Sequence, residues 1–263
     1  MMLSPYDFNE AINQRRDHAE EGLRQGSPVA GLSLDLGVLL ITVRRTQRKV
    51  YEVYDRMMLS AVGNQSDIEA VRIGAVDVAH REGYQRSPDD VTAQRLVGFS
   101  LSPVLKELFR DQWRAPAVVR AVFAEMGQLP ADDAFFTLNY DGEFVRSSRC
   151  AAVAGTPEAE ALMAEELAAV PSDASLGDAV RAGLLAWAGA WQAVTSDPGG
   201  RGQAPGAPAG SADAVGTLAE QLKDGRVEVG LLDRASRRES RFRRLGEEEL
   251  TDVVAPLRRG SGE

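Results

Sequence analysis

The chain has 263 residues, of which 44 % are hydrophobic and 26 % charged, the balance of an ordinary globular protein. Its formal net charge of −9 opposes the basic field that bulk nucleic-acid binding requires. A single cysteine, Cys150, permits no internal disulfide and fits a reducing, cytoplasmic compartment.

The first predicted element is a helix. Ser4 caps it, Pro5 takes its first position and Asp7 completes an S-x-x-D capping box. Phe8, Ile12, Ala19 and Leu23 share one face, and Gly26 ends it. The start "MMLSPYDFNE" has neither a basic cluster nor an apolar core, so no secretory signal is expected. Four strands follow: "VAGLSLD" and "GVLLITV", joined tightly at Asp35 to Gly37, then "KVYEVYD" and "MMLSAVG". A helix is predicted over about 64–82. A second starts at the Ser87-Pro88-Asp89-Asp90 capping box and runs to about Asp111.

Strands return with "AVVRAVFAEM", "AFFTLNYD", "EFVRSSR" and "CAAVAG", with a hairpin turn at Asp141-Gly142. Two helices, "TPEAEALMAEELAAV" and "SLGDAVRAGLLAWAGAWQAV", come next; the apolar run in the second is too short to span a bilayer. Residues 196–216, rich in Gly, Pro, Ala and Ser, are expected to form an exposed loop. A hairpin from "GRVEVGLLD" and "SRFRRL", a last helix "GEEELTDVVAPLRR" and a frayed tail over 259–263 close the chain. The strands near 29–62 and 116–153 are too apolar on both faces for a sheet open to water. Two antiparallel sheets packed face to face with helix pairs outside satisfy that, an α+β architecture.

This order of elements resembles the proteasome core-particle fold, with the match closest to α subunits of the actinobacterial type. The words that carry it include "SPYDFNEAINQRRDHAEEGLRQG", "GVLLITVRR", "KVYEVYDRMMLSAVGNQSDIEAVRIGAVDVAHREGY", "DDVTAQRLVGFSLSPVLKELF", "TLNYDGEF", "VAGT" and "VEVGLLDRASRRESRFRRL". They cover residues 3 to about 255; no single word is specific, but the ordered set is. The resemblance implies one domain over 1–263, an N-terminal-nucleophile-hydrolase-like four-layer αββα sandwich with an extra N-terminal helix. It implies a non-catalytic subunit of a heptameric α ring, stacked on proteasome β subunits, that controls entry and docks a hexameric AAA-type ATPase or another activator with C-terminal tails. Neither cofactor, metal, nucleic acid nor membrane belongs to that expectation.

The same resemblance assigns residues. In catalytic β subunits an N-terminal threonine attacks the peptide with its own amine as base. Ser27 falls at that position, Val43 where the acidic partner belongs, and only Lys49 keeps its residue type. Ser27 is therefore expected to serve the backbone at the strand start. A self-processed N-terminal-nucleophile hydrolase of the same fold is the alternative. Lys49 reads by itself as a solvated strand-end lysine; the resemblance makes it the anchor for the terminal carboxylate of an activator tail. The gate falls on Met2, Leu3, Ser4, Pro5, Tyr6, Asp7 and Phe8. Archaeal and eukaryotic relatives carry Tyr-Asp-Arg ahead of a proline, whereas here Pro5 precedes Tyr6-Asp7-Phe8, so their gate geometry does not transfer.

Other candidates are weaker. His18 and His80 lie on different predicted helices without a second ligand at metal spacing. The glycines of "GGRGQAPGAPAG" lack the lysine of a phosphate loop. Arg234, Arg237, Arg238, Arg241, Arg243 and Arg244 form the one strong basic patch, read as a charged edge hairpin because only Phe242 offers a base an aromatic face.

Overall fold

The computed structural model describes residues 5–196 and 211–259. Helix α1 (Pro5–Arg24) leads into β1 (Val29–Leu34), β2 (Gly37–Arg44), β3 (Val50–Tyr54) and β4 (Met57–Gly63). Helix α2 (Gln65–Gln85), α3 (Ala93–Arg95) and α4 (Ser102–Arg110) precede β5 (Val119–Glu125), β6 (Ala134–Leu138), β7 (Phe144–Ser147) and β8 (Cys150–Val153). The chain closes with α5 (Pro157–Ala168), α6 (Leu176–Ser196), α7 (Ser211–Asp224), β9 (Arg226–Asp233), β10 (Phe242–Arg244) and α8 (Glu247–Arg259).

The strands form two five-stranded sheets, ordered β10-β9-β2-β1-β8 and β3-β4-β5-β6-β7, with antiparallel neighbours throughout. Period-2 alternation sends β2 into two cores. Val38 and Leu40 face the other sheet, while Leu39, Ile41 and Val43 face α5, α6, α7 and α8. In the second sheet, Met58 and Val62 point between the sheets, while Leu59 and Ala61 point to α2 and α4. Both faces of both sheets are thus covered, the four-layer αββα sandwich that the apolar strands demand.

Helix α1 packs Ala19 and Leu23, both fully buried, against the inter-sheet core. Arg15 ties it down further, donating to the carbonyls of Leu108 (2.9 Å), Phe109 (2.8 Å) and Arg114 (2.7 Å). Those carbonyls lie at or just past the last turn of α4, where no backbone partner remains. The Asp141-Gly142 turn forms as expected: Gly142 has φ +84°, and a Cβ there would lie 2.4 Å from the Ser102 carbonyl oxygen.

The expected arginine hairpin exists, with β10 as the edge strand. Its arginines do different things. Arg234 forms a 2.7 Å ion pair with the fully buried Asp133, which also accepts from Ser33 Oγ (2.6 Å) and Gly127 N (2.9 Å). Arg243 bridges Asp233 and Glu249, whereas Arg237 and Arg238 are exposed.

Two expectations need correction. The helix expected from Ser87 to Asp111 is broken: a 3₁₀ turn (Pro88–Asp90) stands apart from α3, and Leu96–Leu101 between α3 and α4 is π-helical. Ser87 caps the 3₁₀ turn through Asp89 N, and Thr92 caps α3 through Arg95 N. Pro103 has no N–H to give the carbonyl four residues back, and the wider turn directly precedes it. Second, the two ends of the stretch expected as a loop over 196–216 are helical. Ser196 ends α6, and 211–216 belong to α7, whose Ala214, Leu218 and Leu222 are buried at four-residue spacing. Residues 197–210 lie outside the described residues, as do 260–263 of the expected tail; Arg259 still belongs to α8.

Candidate functional site

The start of β1, the end of β2, the entry to β3 and the middle of β9 converge at one edge of the sandwich. Pairing of Val29 with Thr42 and of Thr42 with Glu228 places β1, β2 and β9 side by side there. Ser27, just before β1, is half-buried. Its Oγ donates to the Val43 carbonyl at 2.5 Å and accepts from Trp187 Nε1 at 3.1 Å. Thr42 Oγ1 donates to the Pro28 carbonyl at 2.6 Å. The Ser27 hydroxyl is thus spent on backbone and on a tryptophan of α6, the role expected of it.

Lys49 enters the same corner from the loop before β3. Its Nζ donates to the Ser27 carbonyl at 2.5 Å. Glu228 of β9, whose charge acts on that amine, is only 5 % exposed and is otherwise engaged. It accepts from the backbone N of Lys49 at 2.9 Å and of Val50 at 3.5 Å, and it pairs with Arg44 at 3.5 Å and Arg244 at 3.6 Å. Burial pushes the Lys49 amine down from its ordinary 10.5 to about 7, with the Glu228 charge pulling the other way.

Ser27, Val43, Arg44, Lys49 and Trp187 border a cavity of about 250 Å³. Among the described residues its ionisable lining is Arg44, Arg45, Arg48 and Lys49, without one Asp or Glu. Ile68 of α2 and Trp187 and Trp191 of α6 form an apolar wall, the two indoles stacked 5.5 Å apart at 8°. Gln65 and Gln221 add neutral polar groups. Two other hollows differ in charge. One of about 330 Å³ by α1 and α4 mixes Arg15, Lys106 and Arg110 with Asp141 and Glu143. Another of about 490 Å³ by β9 and α8 mixes Arg226 and Arg258 with Glu247. On a chain of net charge −9, the Lys49 cavity is a local cationic niche suited to an anion with an apolar neighbour.

The structure brings Ser27, Val43 and Lys49 together on this cavity. Val43 stands where the resemblance places an acid, and α1 ahead of Ser27 packs Ala19 and Leu23 into the core. Met2, Leu3 and Ser4 lie outside the described residues, while Pro5, Tyr6, Asp7 and Phe8 form the first turn of the α1 backbone. His18 is exposed, and His80 packs edge-on against Tyr54, 5.4 Å between centroids. No group of three or more His, Cys, Asp or Glu among the described residues is placed to hold a metal. Sequence reasoning missed Glu228, Trp187, Trp191 and Gln221. The four-residue spacing of the two tryptophans was the one local signal available.

No family model matches the chain. Individual relatives do. A proteasome subunit alpha of Geodermatophilus obscurus is 30 % identical over 258 residues, covering 96 % of this chain and 82 % of the relative. The chain belongs to the proteasome α-subunit family. A proteasome subunit alpha of Xylanimonas cellulosilytica is 31 % identical over 245 residues, 92 % of this chain and 91 % of the relative. That of Kineococcus radiotolerans is 27 % identical over 248 residues, 94 % of each. The sandwich of this α subunit, with α1 packed ahead of β1, accords with the family. Among its described residues no helix is long and apolar enough to cross a membrane.

Proposed function

We propose that this protein is a non-catalytic subunit of the α ring of a proteasome core particle, where it controls entry and docks an activator. The ring contains further copies of this chain and stacks on β subunits in the cytoplasm. The partner at its outer face is a hexameric AAA-type ATPase, or another activator with C-terminal tails. The observation that carries the docking reading is the Lys49 cavity: an ammonium paired with no carboxylate among the described residues, set with three arginines beside an indole wall. A tail carboxylate suits the cations, and the side chain before it suits Trp187, Trp191 and Ile68. The non-catalytic reading is supported by Val43 at the acidic position and by the hydrogen bonds that occupy Ser27 Oγ.

A charge-assisted hydrogen bond is worth about 1.5–3 kcal/mol, and several tails on one activator ring multiply that through avidity. The test is activator binding to the assembled particle, wild type against Lys49→Ala. The variant should lose activator-stimulated protein degradation while keeping ring assembly and small-peptide hydrolysis. Equal affinity would return Lys49 to an ordinary strand-end lysine.

A further inference from the structure

We infer that docking of a carboxylate at Lys49 is coupled to proton uptake, and that Glu228 is the positioning residue that sets the pH at which it happens. The inference rests on the proposed reading of Lys49 as the tail anchor.

The geometry separates the two charges that would otherwise pair. Glu228 holds the backbone of Lys49 and Val50, so its oxygens point at the main chain and at Arg44 and Arg244. The Lys49 ammonium is left with the neutral Ser27 carbonyl as its partner. A half-buried ammonium held by a neutral acceptor gives up its proton more easily than one in open water. This agrees with the lowering of its amine to about neutral pH.

Among the described residues the cavity lining supplies no other group of that kind. From β2 and the loop after it, Arg44, Arg45 and Arg48 face the cavity; β10 brings Arg244 to Glu228. Guanidinium groups keep their charge across the neutral range. Helices α2, α6 and α7 contribute only neutral groups, such as Gln65, Trp187 and Gln221. Lys49 is therefore the lining group whose charge changes near pH 7.

A carboxylate binds the ammonium form. Below the pKa of the free pocket that form is already present and affinity is flat. Above it, each docking event must first add a proton, and affinity falls by up to roughly tenfold per pH unit. Glu228 favours the ammonium through its charge, so removing that charge moves the fall to lower pH. Glutamine at 228 keeps an oxygen to accept the Lys49 amide, which separates charge from scaffolding.

The probe is a fluorescent peptide of four alanines with a free C-terminal carboxylate, compared with the same peptide amidated. Binding to the assembled particle is followed from about pH 6 to about 8.5, into the millimolar range, for wild type, Lys49→Ala, Lys49→Arg and Glu228→Gln. The wild type should prefer the carboxylate and lose that preference as pH rises. Lys49→Arg, whose charge is permanent, should bind more weakly but without the pH dependence. Glu228→Gln should shift the fall to lower pH. No preference for the carboxylate at any pH, or full affinity in Lys49→Ala, would overturn the anchor reading. A preference that needs Lys49 but stays flat in the wild type would overturn proton coupling alone. So would a pH dependence that survives in Lys49→Arg. Should Glu228→Gln fail to fold, the role of Glu228 is tested with Arg244→Gln, which frees the carboxylate to favour the ammonium: the fall should move to higher pH, and an unmoved fall overturns that role.

Discussion

Lys49 and Glu228 touch through the backbone rather than through their charges. The Glu228 carboxylate takes the Lys49 amide at 2.9 Å, while the Lys49 ammonium turns away to the Ser27 carbonyl at 2.5 Å. A lysine held this way affects folding stability as well as binding. Its folded-state pKa, about 7, lies below its ordinary 10.5, so the unfolded chain binds the extra proton between those values. Stability therefore rises with pH across that window, and the cost of the buried charge is fully present below it. Lys49→Met, which removes that charge, should gain most relative to wild type near pH 6. The advantage should shrink as pH rises above 7. Denaturant unfolding at several pH values measures it; a constant difference would mean the amine titrates normally.

Ser27 has a structural duty with a measurable cost. Ser27→Ala removes the acceptor of Trp187 Nε1, and Trp187 is only 1 % exposed. An unsatisfied buried donor costs about 1–3 kcal/mol, so the unfolding midpoint should fall. Peptide hydrolysis by the particle assembled with its β partner should not change. Loss of turnover in a Ser27→Ala particle that still assembles would give Ser27 a chemical role.

The proposed gate covers Met2 to Phe8, the last four of which form the first turn of the α1 backbone. Copies of such a segment converging on a ring axis would exclude polypeptide by crowding. Deleting residues 2–7 should speed the hydrolysis of unfolded proteins by the assembled particle and leave small-peptide hydrolysis almost unchanged. A truncated particle no faster on unfolded proteins than the full one would remove the gate from this account.

Helix α7 closes the sandwich beside the Lys49 cavity. Leu218 is fully buried in the core beneath it, so Leu218→Ala should cost about 2–5 kcal/mol in urea unfolding. Gly216 on the same helix is different: a Cβ there meets no atom within 4 Å. Gly216→Ala should therefore stabilise by about 0.5–1 kcal/mol through helix propensity. An unchanged midpoint in Leu218→Ala would show that α7 does not pack at this place.

Local periodicity made most of the sandwich readable. Strand β2 is apolar on both faces, which only a doubly covered sheet tolerates, and its burial is nearly complete. The Asp141-Gly142 turn and the apolar face of α1 were equally explicit. Composition hid α7, because its four-residue spacing of Ala214, Leu218 and Leu222 starts next to a Gly- and Pro-rich stretch. Pro103 gave warning of a break, but whether a π-helical turn or a loop absorbs it depends on the packing of Leu96, Val97 and Leu101 against the core.

By itself the sequence determined the layered α+β plan, Lys49 at the mouth of β3 and the absence of an acid at Val43. The tertiary structure decided what surrounds that lysine. Glu228 lies 179 residues further along the chain, and Trp187 lies 160 residues beyond Ser27. Periodicities of two and 3.6 residues fix which face a side chain occupies within its own element. They do not say that β9 docks beside β2 with Glu228 opposite Thr42, a register set by the fit of two buried faces. That register turns a strand-end lysine into an ammonium held beside, but not by, a carboxylate.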